Sequence, residues 1–491
     1  MNKKRLPKST YPNRYEIELD VDLDNFSYTG AQKVDLNVVE ATNNIVLNSV
    51  GIEVTKAKIQ TTKQDIPLEV DYIEEDEKIV FESQETLSEG VYELYLEFNS
   101  EITNDLKGFY KSSYMSEDGE KKWIATTQFE PTAARSAFPC WDEPEYKAIF
   151  SITIITDEKY LRVSNEMVVE EEKVENNKLR TKFADSMKMS SYLVAFVIGD
   201  LEATVVGKSK TTDIRIIHRP GFSHQTSYAG TAAVKLLDFF EDYYKIPYPG
   251  TKLDLIAIPD FAMGAMENVG AVTFRENLLL FDKDKATRSE LDRSITVIAH
   301  ELAHMWFGDL VTMKWWDGIW LNEAFASLME VIASYNTYPE FKQWNAMNMS
   351  RTAGFSIDSL DNSRPVEFDV ETPDQAEEMF DVLTYEKGST VLRMFQMFIG
   401  EEAFQNGVEA YLNKFKFENT NSSDLWDALS EASNQPLNKI LPFWIREKGY
   451  PFLQVDCSNN FLTIKQAPFL LKNVDTAVSY THLRAHETNV D

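Results

Sequence analysis

The stretch Val297–Leu310 reads VIAHELAHMWFGDL and holds two of the six histidines in this 491-residue chain. His300 and His304 are four positions apart, so on a helix their imidazoles project from one face, one turn apart. Glu301 follows the first histidine directly and is rotated from it by about 100°. The pattern therefore predicts a helix that presents two histidines side by side, with an acid next to them.

Flanking residues also indicate a helix. Thr287, followed by Glu290 three positions later, has the spacing of a capping box. Apolar residues then recur at helical spacing, namely Leu291, Ile295, Ile298 and Leu302. Two histidines at i and i+4 on a helix suit one zinc ion. We therefore predict a zinc-binding helix; the alternative is an ordinary amphipathic helix that carries two histidines.

A third metal ligand is expected further along the chain, because a catalytic zinc takes three protein ligands and keeps one position open. The segment WWDGIWLNEAFASLMEVIASY, residues 315–335, predicts a second helix. Glu323 lies on it, 19 residues after His304, and is the predicted third ligand. Glu330 lies two turns further on the same face, where it can hydrogen-bond a ligand histidine.

The remaining sequence predicts a multidomain α+β protein. Residues 1–204 alternate apolar and polar residues, as in Tyr15–Leu23 (YEIELDVDL), and predict an N-terminal all-β domain. Residues 205–450 change to helical spacing and predict a mainly helical domain, which contains the predicted zinc-binding helix. Residues 451–478 return to alternation and predict the truncated start of a third β domain. Residues 479–491 (SYTHLRAHETNVD) match nothing before them and are predicted to be a non-native tail; the alternative is a short disordered polar tail.

Individual elements are also predicted within residues 205–450. The helices are expected at Thr226–Tyr244, Thr287–Phe307, Leu321–Tyr335, Gln375–Ile399 and Ser423–Glu431. Two strands are expected between them, at Leu253–Ile258 and Ala271–Arg275.

Charge and composition exclude some classes of partner. The formal net charge is −30, and such a surface repels nucleic acid and anionic membranes. No apolar run is long enough to span a membrane, and the basic N-terminus is not followed by the apolar run of a signal peptide. With two cysteines expected as free thiols, the sequence predicts a cytoplasmic protein that binds neither nucleic acid nor membranes.

Several motifs together resemble a known family. HExxH followed by 18 residues and a glutamate is the signature of the gluzincin metallopeptidases. With the pentapeptide GAMEN at Gly264–Asn268, the chain resembles the aminopeptidase N family of zinc metallopeptidases. Gln128–Pro144 (QFEPTAARSAFPCWDEP) and Phe380–Met394 (FDVLTYEKGSTVLRM) are similar to further segments of that family. The resemblance covers residues 1 to about 460. Members of that family continue with a complete β-sandwich and a large helical domain, so this chain is expected to be C-terminally truncated relative to the family.

The resemblance implies a chemistry for the helix quoted above. It implies a thermolysin-like catalytic domain with one Zn²⁺ per chain, bound by His300, His304 and Glu323. It also implies an aminopeptidase that removes the N-terminal residue from peptides with a free N-terminus. In that reaction a metal-activated water attacks, Glu301 is the general base, and Tyr385 stabilises the tetrahedral intermediate.

The resemblance also implies a set of substrate-binding residues, namely Gln128, Glu130, Met263, Gly264, Ala265 and Glu267. The two carboxylates suit a free α-ammonium group, because they form charge-assisted hydrogen bonds with it. The Gly264–Ala265 backbone is expected to lie along the substrate as an edge strand. Met263 is expected near the first side-chain pocket, where a flexible thioether accommodates varied side chains; the alternative is that Met263 is a core residue.

Other functions remain open from the sequence. The family usually has Gly after the third ligand, where this chain has Ala324, a change that a helix accommodates. An epoxide hydrolase of the related leukotriene-hydrolysing branch shares the zinc, the acid and the tyrosine. A thermolysin-type endopeptidase shares the metal site, but Glu130 and Glu267 argue against it. A zinc-stabilised binding protein without catalysis is the alternative from a different class.

Overall fold

In the computed structural model, residues 5–61, 64–458, 461–469 and 471 are described. They form an all-β N-terminal part, a mainly helical middle part and a C-terminal pair of strands. This order confirms the fold class predicted from the sequence. The predicted non-native tail, residues 479–491, lies outside the described residues.

The N-terminal part forms because its strands bury alternate residues. In Tyr15–Val21 the apolar residues are almost completely buried, while the acids between them face outward. The strands are β1 Thr10–Asp22, β2 Ser27–Val38, β3 Thr42–Asn48, β4 Glu53–Gln60, β5 Ile66–Ile73, β6 Lys78–Leu87, β7 Gly90–Glu101, β8 Gly108–Met115, β9 Lys121–Gln128, β10 Ile149–Asp157, β11 Leu161–Ser164, β12 Val168–Val174, β13 Lys178–Phe183 and β14 Phe196–Gly199. They form a large sheet, β12-β13-β10-β1-β2-β7-β4-β5-β6-β3, and a smaller one, β11-β14-β9-β8.

A third sheet opens the middle part. Its strands are β15 Glu202–Ser209, β16 Thr212–His218, β17 Leu253–Ile258, β18 Ala265–Met266 and β19 Ala271–Arg275, in the order β15-β16-β17-β19-β18. The two strands predicted in this region coincide with β17 and β19. The domain boundary predicted at residue 204 falls inside β15, which pairs with β16 and so belongs to this sheet. The short strand β18 lies at the sheet edge, and this edge borders the site described below.

Helices make up most of the middle part. They are α1 Ser227–Tyr244, α2 Arg288–His304, α3 Trp320–Thr337, α4 Gln343–Asp358, α5 Pro373–Glu378, α6 Gly388–Ile399, α7 Glu401–Lys414, α8 Ser422–Ser433 and α9 Leu437–Arg446. A short pair, β20 Thr312–Met313 and β21 Asn419–Thr420, lies between them. The predicted capping box at the start of α2 is present: Glu290 N–H donates to Thr287 Oγ1 at 3.3 Å, and Thr287 N–H donates to the Glu290 carboxylate at 2.7 Å. Helix α2 packs against α3, which brings the two predicted ligand-bearing helices together.

The single helix predicted over Gln375–Ile399 is wrong. The chain leaves the helical path after α5, forms a π-helical turn at Leu383–Lys387, and continues directly into α6. The cause is local, because the Asp381 carboxylate accepts the backbone N–H groups of Leu383 and Thr384 at 2.9 and 3.1 Å. A side chain that binds these donors competes with the helical ladder and starts a new turn. Helices α4, α7 and α9 were not predicted.

The C-terminal strands are β22 Tyr450–Ser458 and β23 Phe461–Phe469, which pair as an antiparallel hairpin. They agree with the predicted return to strand alternation at residue 451. Among the described helices, none is both long and apolar enough to cross a membrane.

Candidate active site

All the site residues predicted from the sequence line one cavity of about 750 Å³. They are Gln128, Glu130, Met263, Gly264, Ala265, Glu267, His300, Glu301, His304, Glu323 and Tyr385. Gln128 ends β9, and Glu130 follows two residues later. The other site residues lie on the edge strand β18 and its flanks, on α2, on α3 and on the π-helical turn. The fold therefore brings together residues that are up to 257 positions apart in the sequence.

The three predicted metal ligands converge. The Nε2 atoms of His300 and His304 lie 3.1 and 3.4 Å from the same carboxylate oxygen of Glu323. Their ligand atoms all lie within 4.8 Å of one another, a spacing at which one cation can contact all three. Two imidazoles and one carboxylate are a common donor set for catalytic zinc.

The opposite ring nitrogens of both histidines have partners of their own. His300 Nδ1 lies 2.8 Å from a Glu330 carboxylate oxygen. His304 Nδ1 lies 2.9 Å from the backbone carbonyl oxygen of Phe307. These contacts fix both rings and leave the Nε2 atoms directed at the shared position, as outer hydrogen bonds do in zinc sites. The predicted contact of Glu330 with one of the two histidines is present, at His300.

The electrostatics of the cavity favour positive charge. Burial lowers the pKa of His304, but the charges of Glu267 and Glu323 outweigh burial and raise it to about 10. Burial works against ionisation of Glu323, but the charge of His304 and a hydrogen bond from His300 outweigh burial and lower its pKa to about 2. A surplus of buried carboxylates around two imidazoles provides the field that holds a cation.

Two further carboxylates of the cavity have unused hydrogen-bonding capacity. Glu130 and Glu267 are 7% and 3% exposed. Oε1 of each is buried and has no hydrogen-bond partner among the described residues. Burial and the charge of Glu267 raise the pKa of Glu130 well above its usual value, and burial raises that of Glu267. Glu267 Oε1 also lies 3.7 Å from His304 Nδ1, but neither Oε1 atom accepts a hydrogen bond from the described residues, so the two carboxylates are suited to receive a cationic donor.

The predicted base directly follows His300 on α2, and the predicted donor stacks on the same histidine. Glu301 is 5% exposed, and burial raises its pKa to about 8 against the opposing charge of the histidines. The ring of Tyr385 stacks on His300 with centroids 5.9 Å apart. Burial and the charge of Glu323 raise the pKa of Tyr385 well above its usual value, so its hydroxyl keeps its proton.

The edge strand beside these groups leaves room for an extended ligand. Ala265 and Met266 pair with β19 on one side only, and Gly264 O accepts the Arg275 N–H at 2.9 Å. Met263 is 48% exposed at the cavity, so the alternative that it is a core residue is wrong. Gln128 donates to Met266 Sδ at 3.4 Å, while its Oε1 is buried without a partner among the described residues.

The cavity also contains residues that the sequence did not single out. Lys107 forms an ion pair with Glu377 and links the N-terminal part to α5 beside the cavity. Arg293 lines the cavity from α2, seven residues before His300 on the same helical face. Helical spacing could have predicted Arg293. No periodic signal marks Lys107, which lies in a loop.

Two models of one protein family match most of the chain. A family model described as the Peptidase M1 N-terminal domain matches residues 11–193, and one described as the Peptidase family M1 domain matches residues 228–444. The chain belongs to peptidase family M1. This membership confirms the resemblance to the aminopeptidase N family. The match to the Peptidase family M1 domain covers the candidate metal ligands His300, His304 and Glu323, the edge strand and Tyr385.

M1 relatives match along nearly the whole chain. Aminopeptidase M1 of Arabidopsis thaliana is 41% identical over 95% of this chain and 53% of its own length. Puromycin-sensitive aminopeptidase of Caenorhabditis elegans is 38% identical over 95% of this chain and 50% of its own length. Endoplasmic reticulum aminopeptidase 1 of Rattus norvegicus is 34% identical over 96% of this chain and 54% of its own length. The chain thus spans about half the length of these M1 relatives.

Proposed function

We propose that this protein is a zinc-dependent aminopeptidase that hydrolyses the N-terminal residue from peptides. The observation that carries the proposal is that Glu130 and Glu267 each have a buried carboxylate oxygen without a hydrogen-bond partner among the described residues, in the same cavity as His300, His304 and Glu323. A peptide offers a cation for such a pair only at its free N-terminus or on a basic side chain. Family M1 membership and the names of the aminopeptidase relatives support the proposal.

His300, His304 and Glu323 would hold the zinc, because their donor atoms converge and the other nitrogens of both rings are engaged elsewhere. When bound, zinc supplies a Lewis acid that polarises the scissile carbonyl and acidifies water. Glu301 takes the proton of the attacking water and delivers it to the leaving amine. The Tyr385 hydroxyl donates to the oxygen that becomes negative in the tetrahedral intermediate.

The substrate backbone is held beside this group. Glu130 and Glu267 accept hydrogen bonds from the α-ammonium, and this fixes the scissile bond one residue from the chain end. The free side of β18 offers backbone hydrogen bonds to an extended peptide. Met263 is exposed at the cavity, where its thioether can contact side chains of different shape.

The direct test is hydrolysis of chromogenic aminoacyl amides of Leu, Ala, Lys and Arg, each compared with its N-acetylated counterpart, with and without a zinc chelator. Chelator-sensitive cleavage of the free amines alone supports the proposal. Cleavage of the acetylated set would indicate an endopeptidase. Absence of any cleavage while zinc stays bound would favour the zinc-stabilised binding protein, and hydrolysis of an epoxide lipid but no amide would favour the epoxide hydrolase.

Glu267→Gln tests the amine site. The substitution keeps the shape of the side chain but removes a charge-assisted hydrogen bond, so kcat/KM for Leu amide should fall about 10- to 100-fold. Zinc content, measured by mass spectrometry of the metal, should stay at one per chain. If kcat/KM stays at the wild-type value, Glu267 does not bind the ammonium group.

The expected cytoplasmic location stays a prediction.

A further inference from the structure

The π-helical turn that carries Tyr385 is held at its N-terminal end by an ion pair. Arg364 donates to the Asp381 carboxylate at 2.6 Å and to Thr384 Oγ1 at 3.0 Å. The same carboxylate caps the first backbone N–H groups of the turn. The entry to the turn is therefore fixed by a side chain from the segment that follows α4.

A second, more deeply buried ion pair holds the C-terminal end of the turn. Lys387 Nζ lies 2.8 Å from the Asp358 carboxylate, and the two side chains are 8% and 2% exposed. The same ammonium donates to the backbone carbonyls of Glu447 and Gly449, at 3.1 Å each. Lys387 is two residues after Tyr385, so its three contacts restrain the tyrosine's own turn.

Asp358 connects this pair to the hairpin that follows the catalytic part. Its other oxygen accepts the Gly449 N–H at 2.7 Å and the Ser363 hydroxyl at 2.8 Å. Gly449 has a positive φ of 79° and directly precedes β22, a conformation that favours glycine. The ion pair therefore joins three chain segments: the end of α4, the tyrosine's turn and the entry to the hairpin.

A buried ion pair of this kind serves geometry better than stability. Desolvation offsets most of the attraction between its charges, so an apolar pair of similar volume is often as stable. Its charges do, however, impose a fixed distance and direction on the groups they join. At this location the group whose position is fixed is Tyr385, whose ring stacks on the ligand histidine His300.

We propose that Lys387 and Asp358 are positioning residues for Tyr385, and that through them the C-terminal hairpin holds the tyrosine's turn against the metal-ligand group. The proposal rests on the proposed function, in which the Tyr385 hydroxyl stabilises the tetrahedral intermediate. Neither residue touches the substrate in this scheme. Their effect on the reaction passes through the tyrosine alone.

The kinetic test is Lys387→Met in the wild-type and Tyr385→Phe backgrounds. In the wild type, kcat should fall about 10-fold or more while KM and zinc content stay constant, because only a transition-state interaction is lost. In Tyr385→Phe the same substitution should have almost no further effect, since groups that act as a unit are not additive. An equal fall of kcat in both backgrounds, or no fall in either, would overturn the proposal.

Hydrogen–deuterium exchange gives a readout that does not depend on activity. Lys387→Met should speed exchange in peptides covering 381–388 about 10-fold or more and leave those of the metal-ligand helix α2 unchanged. If the wild type has no peptidase activity but Lys387→Met still shows this exchange pattern, the proposed function is rejected and the structural role of the ion pair is retained. An active wild type with unchanged exchange in the variant would reject the role of the pair.

Two controls separate positioning from loss of stability. Lys252 forms a comparable buried contact set, with Asp254 and the Ser164 carbonyl at 2.8 Å each. Any effect of Lys252→Met on kcat should be the same in both backgrounds. If Lys387→Met fails to fold, the double variant Asp358→Asn/Lys387→Met takes its place. It removes both charges and leaves no unpaired buried ion. It should show the same kinetic pattern in the two backgrounds.

Gly388→Ala tests how closely the turn must approach α3. A Cβ at Gly388 would lie 2.6 Å from the Cβ of Ala324, the residue after the ligand Glu323. The substitution should therefore shift the turn and lower kcat about 10-fold or more. Adding Ala324→Gly leaves only contacts of 3.8 Å or longer around that Cβ, so the double variant should recover most of the activity. A double variant as impaired as the single one would show that this spacing does not position Tyr385.

Discussion

Replacing Glu301 with glutamine is expected to lower kcat about 10²–10⁴-fold, the range typical of losing a general base. The amide has the same shape but cannot accept the proton of the attacking water. Glu301 is outside the converging group of His300, His304 and Glu323, so the metal should remain bound. The measurement is kcat for Leu amide at saturating zinc, together with the zinc content of the purified variant.

A matched control is Glu330→Gln, in which the same chemical change is made to the partner of His300 Nδ1. Loss of such an outer contact typically weakens metal binding about 10- to 100-fold. Saturating zinc should therefore restore most of its activity, whereas Glu301→Gln should stay inactive at any zinc concentration. An active Glu301→Gln variant would assign the proton transfer to another group.

Part of the candidate metal-ligand group was predictable because its geometry is local. The helical period fixes the relation between His300 and His304, and the capping box fixes where α2 begins. Glu323 needed one further step, the expectation that a catalytic zinc takes a third ligand. Packing of α2 on α3 then places that carboxylate against both imidazoles.

The residues proposed to bind the substrate amine were not predictable from periodicity. Glu130 lies 170 positions before His300 and follows β9, a strand of the sheet β11-β14-β9-β8. Its approach to the site therefore depends on long-range packing. Family resemblance supplied that prediction. The interruption of the helix before Tyr385 was missed for a different reason, because the capping of Leu383 and Thr384 by the Asp381 side chain leaves no trace in the hydrophobic period.

Replacing Tyr385 with phenylalanine is expected to lower kcat about 10²–10³-fold, the usual effect of removing one donor to an oxyanion. KM should change little, because the hydroxyl acts on charge that develops only in the transition state. The phenyl ring keeps the stacking on His300, so zinc content and unfolding temperature should stay near the wild-type values. Steady-state kinetics on Leu amide, with zinc content measured on the same sample, checks this expectation.

The Tyr385→Phe variant also distinguishes between the possible roles of the tyrosine in the reaction. If Tyr385 bound the ground-state substrate, phenylalanine would raise KM and leave kcat unchanged. If Tyr385 were the general base, its loss would match that of Glu301→Gln, but burial beside Glu323 keeps its hydroxyl protonated. An unchanged kcat would remove Tyr385 from the mechanism. A fall in kcat at constant KM, combined with the fall in kcat/KM of Glu267→Gln, would place stabilisation of the intermediate and recognition of the ammonium on two separate groups of one cavity.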